Sequence, residues 1–190
     1  MSAASTPDTI RQRIAAQIVH WEARRDAQGR IAIYNLPSAD GGGTFEVAGI
    51  NDRYHPGVAK RLATLIRSGQ HAAAETEAAA YIRSYTDVVK GWHPSLAVEA
   101  YLRDTCFNRG PGGAAKILQQ ACGAAPDGKV GPVTRARAAV IPAAELLTAL
   151  RTAREHYERR IAPPIKARAK FWKGLENRWD NALRFAQTLL

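Results

Sequence analysis

Prolines and glycines cut this chain into helix-length pieces, and that punctuation limits it to a mostly helical fold. Proline lacks an N–H and clashes with the preceding turn, so it fits only the first turn of a helix. Glycine takes the left-handed conformation that closes one. Pro7, Pro56, Pro94 and Pro111 each stand before a stretch whose apolar residues recur three or four apart, and Gly69, Gly91 and Gly123 each close such a stretch. In the first helix Thr6 is the cap and Asp8 sits at the positive end of the dipole. Its stripe is Ile10, Ile14, Ile18 and Trp21, which predicts a helix to about residue 25. Further helices are expected over residues 56–69 and 71–90, from Pro94, from Pro111 to Gly123, over residues 142–161, and after Pro163-Pro164 to residue 189. Asp127-Gly128 and Gly131-Pro132 bracket a tight turn.

One segment breaks the pattern. Residues 30–36 read as a short strand with Ile31 and Ile33 on one face, and the run Thr44-Phe45-Glu46-Val47 alternates again. Between them lies Pro37-Ser38-Ala39-Asp40-Gly41-Gly42-Gly43, a turn-rich loop. Two strands around a glycine loop predict a hairpin, expected to be the chain's one sheet. Gly91-Trp92 marks the expected seam between two halves.

At 190 residues with 46% apolar side chains, the chain can bury a real core. A disordered, collagen-like or disulfide-dense chain is excluded, and no apolar run reaches the roughly 18–20 residues that span a bilayer. No secretory signal is expected, because charges interrupt residues 1–25. The net charge of +10 is uneven: residues 1–95 carry +2 and residues 96–190 carry +8. Such a surface suits a polyanion: nucleic acid, an acidic membrane face or an acidic cell-wall polymer. Cys106 and Cys122 fall in apolar helical stretches and read as buried free thiols, with one disulfide between them as the minority alternative.

The chemistry concentrates in the first 50 residues. Glu22 lies near the end of an amphipathic helix beside Trp21, and a hairpin bearing Asp40, Thr44 and Glu46 follows. Glycoside hydrolysis uses such a set. One carboxylic acid, kept protonated by apolar surroundings, protonates the leaving oxygen; a second acidic group activates water or stabilises the oxocarbenium ion. Gly41-Gly42-Gly43 lets a sugar chain approach the backbone, and it lacks the flanking pattern of a phosphate loop. No histidine has a ligand partner at metal spacing, so no metal and no cofactor are expected. The serines have no nucleophile-elbow context.

These residues sit in motifs that resemble the glycoside hydrolase family 108 muramidases, of the phage-endolysin and secretion-activating type, with their peptidoglycan-binding region. The matching parts are Trp21-Glu22, then Asp40-Gly41-Gly42-Gly43-Thr44, then Gly49-Ile50-Asn51 and Tyr54-His55-Pro56. In the second half they are Asp104-Thr105-Cys106-Phe107-Asn108-Arg109-Gly110-Pro111, Leu118-Gln119-Gln120 and Asp127-Gly128-Lys129-Val130-Gly131-Pro132-Val133-Thr134. The closing helices match through Arg154-Glu155-His156-Tyr157 and the stretch from Phe171-Trp172 to Asn177-Arg178. The resemblance covers nearly the whole chain.

It implies a mainly α, lysozyme-like helical fold with one small β-hairpin. Residues 1–91 would form the catalytic half and residues 92–190 a helical peptidoglycan-binding half, packed as one globular unit. The implied function is an N-acetylmuramidase that cleaves the muramic acid–glucosamine bond, with Glu22 as general acid. The chain departs from the family in spacing: Glu22 and Asp40 are further apart, the proline after the aspartate is missing, and counting back from Gly49-Ile50 puts Glu46 where the family has threonine. Glu46 is therefore preferred as the second catalytic group, Asp40 is the runner-up, and Thr44 positions water or sugar. Gly43, Thr44, Tyr54, Asn108 and Asp127 are the expected substrate contacts. Peptidoglycan is the expected partner, bound by a monomer, with no nucleic acid: the basic helices are threaded with acidic residues and lack a recognition motif. The chain would be made in the cytoplasm and reach the wall by holin-type or other non-classical release. The alternative function is a non-catalytic peptidoglycan-binding module.

Overall fold

The computed structural model describes residues 6–37, 42–161 and 169–190, and over these the protein is mainly α with a small antiparallel sheet, as expected. It divides into two compact units, Met1–Tyr85 and Thr86–Leu190.

In the first unit, helix α1 (Pro7–Glu22) starts as its sequence predicts, with the Thr6 hydroxyl accepting from Thr9 N at 3.3 Å. It stops three residues short of the expected end, because Ala23 turns extended. The short strands β1 (Tyr34–Asn35), β2 (Phe45–Val47) and β3 (Ile50–Asn51) follow in the order β1-β2-β3. The sheet thus has one strand more than the expected hairpin. Ala48 and Gly49 make the extra two-residue turn, with Val47 paired to Ile50. Both take positive φ, 51° and 73°, which gives the backbone twist that short hairpins need.

Helix α2 (Pro56–Arg67) ends at Gly69, φ 78°. Helix α3 (His71–Tyr85) ends earlier than predicted and passes into a 3-10 turn, Thr86–Val89, that belongs to the second unit. On α3 the buried positions are Ala74, Ala78 and Ile82, one turn apart, and this strip packs against both α1 and α2. Two alanines there let helix backbones approach closely, so that Ile14, Ile18 and Leu62 are sealed from water. Each such side chain contributes about 1.5–3 kcal/mol of burial free energy. Val47 and Ile50 are also fully buried, so this face of the sheet joins the core and the other face is left for Glu46.

The second unit is built round helix α4 (Leu96–Ala121), which packs against helices α6 (Ala143–Ile161) and α7 (Ala169–Gln187). The two helices expected from Pro94 and Pro111 abut here across a kink at Gly110, whose φ of 67° and ψ of 171° break the helix just before Pro111. Ser95, not Pro94, caps the first, accepting from Ala97 N at 3.2 Å. Helix α5 (Pro132–Ala139) occupies residues expected to lie beyond a turn, with Pro132 in its first turn. Buried charge is concentrated on α4. Asp104 accepts from Arg154 Nη1 at 2.7 Å and from Arg178, and Arg103 donates to Glu99 at 2.8 Å and Asp87 at 2.6 Å. Cys106 and Cys122 are buried free thiols. No helix among the described residues is long and apolar enough to cross a membrane.

Candidate active site

The end of α1 is followed by a tightly braced return of the chain. Glu22 is the last helical residue and is half-buried. The chain then doubles back at once: Ala32 N donates to the Arg24 carbonyl at 2.9 Å, and Arg25 forms an isolated antiparallel bridge with Ile31. Asp26 holds the turn, accepting from Gln28 N at 3.0 Å, Arg30 N at 2.9 Å and Arg30 Nε at 2.8 Å. The Arg30 N–H is the chief reason that the Asp26 carboxyl lies below the ordinary carboxylate range. Arg25 ties the same turn to α3 through Glu75 at 2.6 Å. Arg24 lays its guanidinium 4.8 Å from the Tyr34 ring centroid.

Tyr34 leads directly to the second carboxylate. In the sheet register Tyr34 stands opposite Glu46, and Glu46 stands opposite Asn51. These three side chains therefore form a row on the face away from Val47 and Ile50, and all three are half-buried. Arg24, two residues after Glu22, thus lies beside Tyr34, the cross-strand neighbour of Glu46. Asp40, the runner-up, lies outside the described residues.

Thr44 stands just before β2 and is fastened to a residue that the sequence reading did not single out. Its hydroxyl donates to Asp52 Oδ2 at 2.5 Å, and its backbone N–H donates to Asp52 Oδ1 at 2.8 Å. Phe45 N adds a third bond to Oδ1 at 3.3 Å. The Thr44 hydroxyl is the main cause of an Asp52 carboxyl held below the usual range. Gly43, with φ 118°, is needed for this closeness: a Cβ there would overlap the side-chain oxygens of both Asp52 and Asn51. The expected role for Gly43 was access for a sugar; in the structure its missing side chain makes room for these two side chains of its own unit. The signal that could have found Asp52 was its place in Asn51-Asp52, directly after the second strand of a tight hairpin, where aspartate readily accepts backbone N–H groups.

The next turn offers an aromatic surface. Tyr54 is 67% exposed and lies under Arg53, whose guanidinium is 5.7 Å from the ring centroid. Its neighbour His55 is anchored: Nδ1 lies 2.7 Å from the Tyr81 hydroxyl, and the imidazole meets the rings of Tyr81 and Tyr85 edge-on, both at 5.4 Å. Burial pushes the His55 imidazole below its ordinary pKa.

The remaining two expected contacts lie in the second unit. Asn108 is half-buried on α4 and donates to the Asp104 carbonyl at 3.1 Å. The Asp127 carboxylate accepts from Gln119 Nε2 at 2.6 Å and from Lys129 N at 2.8 Å, which closes the Asp-Gly turn on itself. Among the described residues, no group of three or more His, Cys, Asp or Glu side chains is placed to hold a metal ion.

No protein-family model matches the sequence, and no curated protein matches it. The fold is similar to that of SagA from Brucella abortus. The two superpose with a TM-score of 0.68 over 96% of this chain and 96% of SagA, at 20% sequence identity. At that identity the likeness to SagA is one of fold, and it spans nearly the full length of both chains.

Proposed function

We propose that the protein is a peptidoglycan hydrolase of the muramidase type, which cleaves the β-1,4 bond between muramic acid and glucosamine. The observation that carries this reading is that Arg24, two residues after the helix-terminal Glu22, lies over Tyr34, the cross-strand partner of Glu46, whose strand is braced by an ordered Thr–Asp pair. Glu22 is the general acid and protonates the glycosidic oxygen as the bond breaks. Glu46 supports the positive charge that develops at the anomeric carbon or takes a proton from water. Thr44 orders the polar groups around the attacked carbon, and exposed Tyr54 offers a stacking surface to a sugar ring. The fold likeness to SagA supports the reading at the level of architecture, and the motif resemblance supports it at the level of residues. The basic second half is assigned to retention on the anionic wall.

The deciding experiment is digestion of purified peptidoglycan by wild type, Glu22→Gln and Glu46→Gln, with mass spectrometry of the soluble fragments. Wild type is expected to release disaccharide-peptides ending in reducing muramic acid. Glu22→Gln should lose about 10²–10⁴-fold in rate, the usual contribution of a general acid. If wild type sediments with the wall and releases nothing, the alternative of a non-catalytic binding module is correct. If raising the salt to about 0.5 M, where the Debye length is under roughly 5 Å, leaves wall binding unchanged, the electrostatic part of the retention is wrong.

A further inference from the structure

A threonine hydroxyl has one proton to give. In this protein that proton is committed: the exposed Thr44 donates it to Asp52 Oδ2 at 2.5 Å. The geometry is over-determined. Asp52 Oδ1 takes the N–H groups of Thr44 and Phe45, Asp52 N donates back to the Phe45 carbonyl at 3.1 Å, and Gly43 leaves the space that this needs. An ionised carboxylate can only accept, so it fixes which way the hydroxyl turns. The lone pairs of Thr44 Oγ1 are then the part of the group left to face an incoming molecule.

We propose that Asp52 is a positioning residue for hydrolysis: by holding the Thr44 proton it makes Oγ1 a pure acceptor that orients the attacking water. This rests on the muramidase reading above. A water that donates one proton to Thr44 Oγ1 and the other to Glu46 has a lone pair directed at the anomeric carbon. In the step itself the water oxygen bonds to that carbon while the glycosidic carbon–oxygen bond breaks. Glu22 gives its proton to the leaving oxygen, and the water's proton passes to the Glu46 carboxylate, so atoms and charge balance. A freely rotating hydroxyl could also offer its proton to the water, and that alignment would be lost. Two residues eight apart, on the two outer ends of the β2–β3 hairpin, thus act as one device.

The test uses the full chain on a soluble muropeptide polymer, with kcat and KM measured separately for wild type, Asp52→Asn, Thr44→Val, Thr44→Ser and the Asp52→Asn/Thr44→Val double variant. Thermal melting checks that each folds, and the Asp52 carboxyl is titrated by carbon-detected NMR in wild type and Thr44→Val. Asp52→Asn and Thr44→Val should each lower kcat about 10–100-fold, the scale of a misplaced reactant, with KM little changed. The double variant should be no worse than the poorer single one, since both remove one unit. Thr44→Ser should recover most of what Thr44→Val loses, and it keeps the test open if Asp52→Asn does not fold. The Asp52 pKa should rise in Thr44→Val. Full kcat in the single variants, additive losses, or a rise in KM at constant kcat would each overturn the positioning role while the muramidase reading stood. A wild type that releases no fragments removes the muramidase reading and this proposal with it, even if the NMR titration still shows the Thr44–Asp52 bond.

Discussion

Gln119 Nε2 donates to Asp127 Oδ1 at 2.6 Å, and through this bond the last turn of helix α4 dictates the shape of a loop eight residues later. The same amide donates to the Lys129 carbonyl at 3.0 Å and accepts from Gly128 N at 2.9 Å. The Gln119 side chain is 1% exposed, so it cannot exchange these partners for water.

Replacing Gln119 with alanine strands the Gly128 N–H and the Lys129 carbonyl. Gly128 is half-buried and Lys129 exposed, so water can take over these groups, and the expected cost is the net worth of the bonds lost, about 0.5–1.5 kcal/mol each. Urea denaturation gives the number. Hydrogen exchange at Gly128 N should speed up more than exchange at amides in the first unit; equal protection in the two proteins would show that the amide does not hold the turn.

A second prediction concerns acid. Asp104 is fully buried; burial pushes its carboxyl up, and Arg178 and Arg154 more than offset this, so its pKa lies below the ordinary value in the folded protein. A depressed carboxyl pKa contributes stability that is present above the unfolded value of about 3.9 and fades as pH falls through the folded one. The second unit should therefore hold its stability down to about pH 4 and lose it below. Asp104→Asn should cost about 3–5 kcal/mol at pH 7, because it leaves two arginines without their anion. The variant should also lose part of the wild-type acid dependence, which melting curves from pH 2 to pH 7 will show.

His55 tests the turn that carries Tyr54. Burial lowers its pKa, so the folded state favours the neutral imidazole that meets the Tyr81 hydroxyl at 2.7 Å. The unfolded chain binds the proton first, so stability is complete above about pH 6.5 and is lost as pH falls through the folded pKa. His55→Phe keeps the ring packing and removes the titration, and its melting temperature should vary less than that of wild type between pH 7 and pH 5. An identical profile would place the dependence elsewhere.

Ala48 is the described non-glycine residue with positive φ, 51°, and it is 2% exposed in the β2–β3 turn. Left-handed backbone costs an alanine about 1–2 kcal/mol, and glycine relieves that while it loses about 0.5–1 kcal/mol of chain entropy. Ala48→Gly should leave stability within about 1 kcal/mol of wild type. Ala48→Val adds both steric strain and a side chain with no room, and should cost clearly more, by about 1–3 kcal/mol. Calorimetry of the two variants checks the order, and under the proposed function activity on peptidoglycan should fall with Ala48→Val, since Val47 and Ile50 pair across this turn and Glu46 lies next in the strand.

The helix starts at Pro7 and Pro56 and the stops at Gly69 and Gly123 were legible from composition and spacing, because missing N–H groups and left-handed backbone act within a turn. The row that holds Glu46 was half legible. Alternation placed it opposite Phe45 and Val47, but the third strand, two residues long, depends on the Ala48–Gly49 turn and not on any periodic signal. Helix α5 was missed because Pro132 serves both as a turn residue and as a helix start, and local chemistry does not choose between the two. The pairing of Thr44 with Asp52 exists only once the β2–β3 turn has folded the chain back across eight residues. The anchoring of Asp104 by Arg154 and Arg178 spans 50 and 74 residues. Local order follows from steric and hydrogen-bonding preferences that each residue carries wherever it stands. Which charges meet, and which hydroxyl is held by which carboxylate, follows from distances that come into being only when the helices pack.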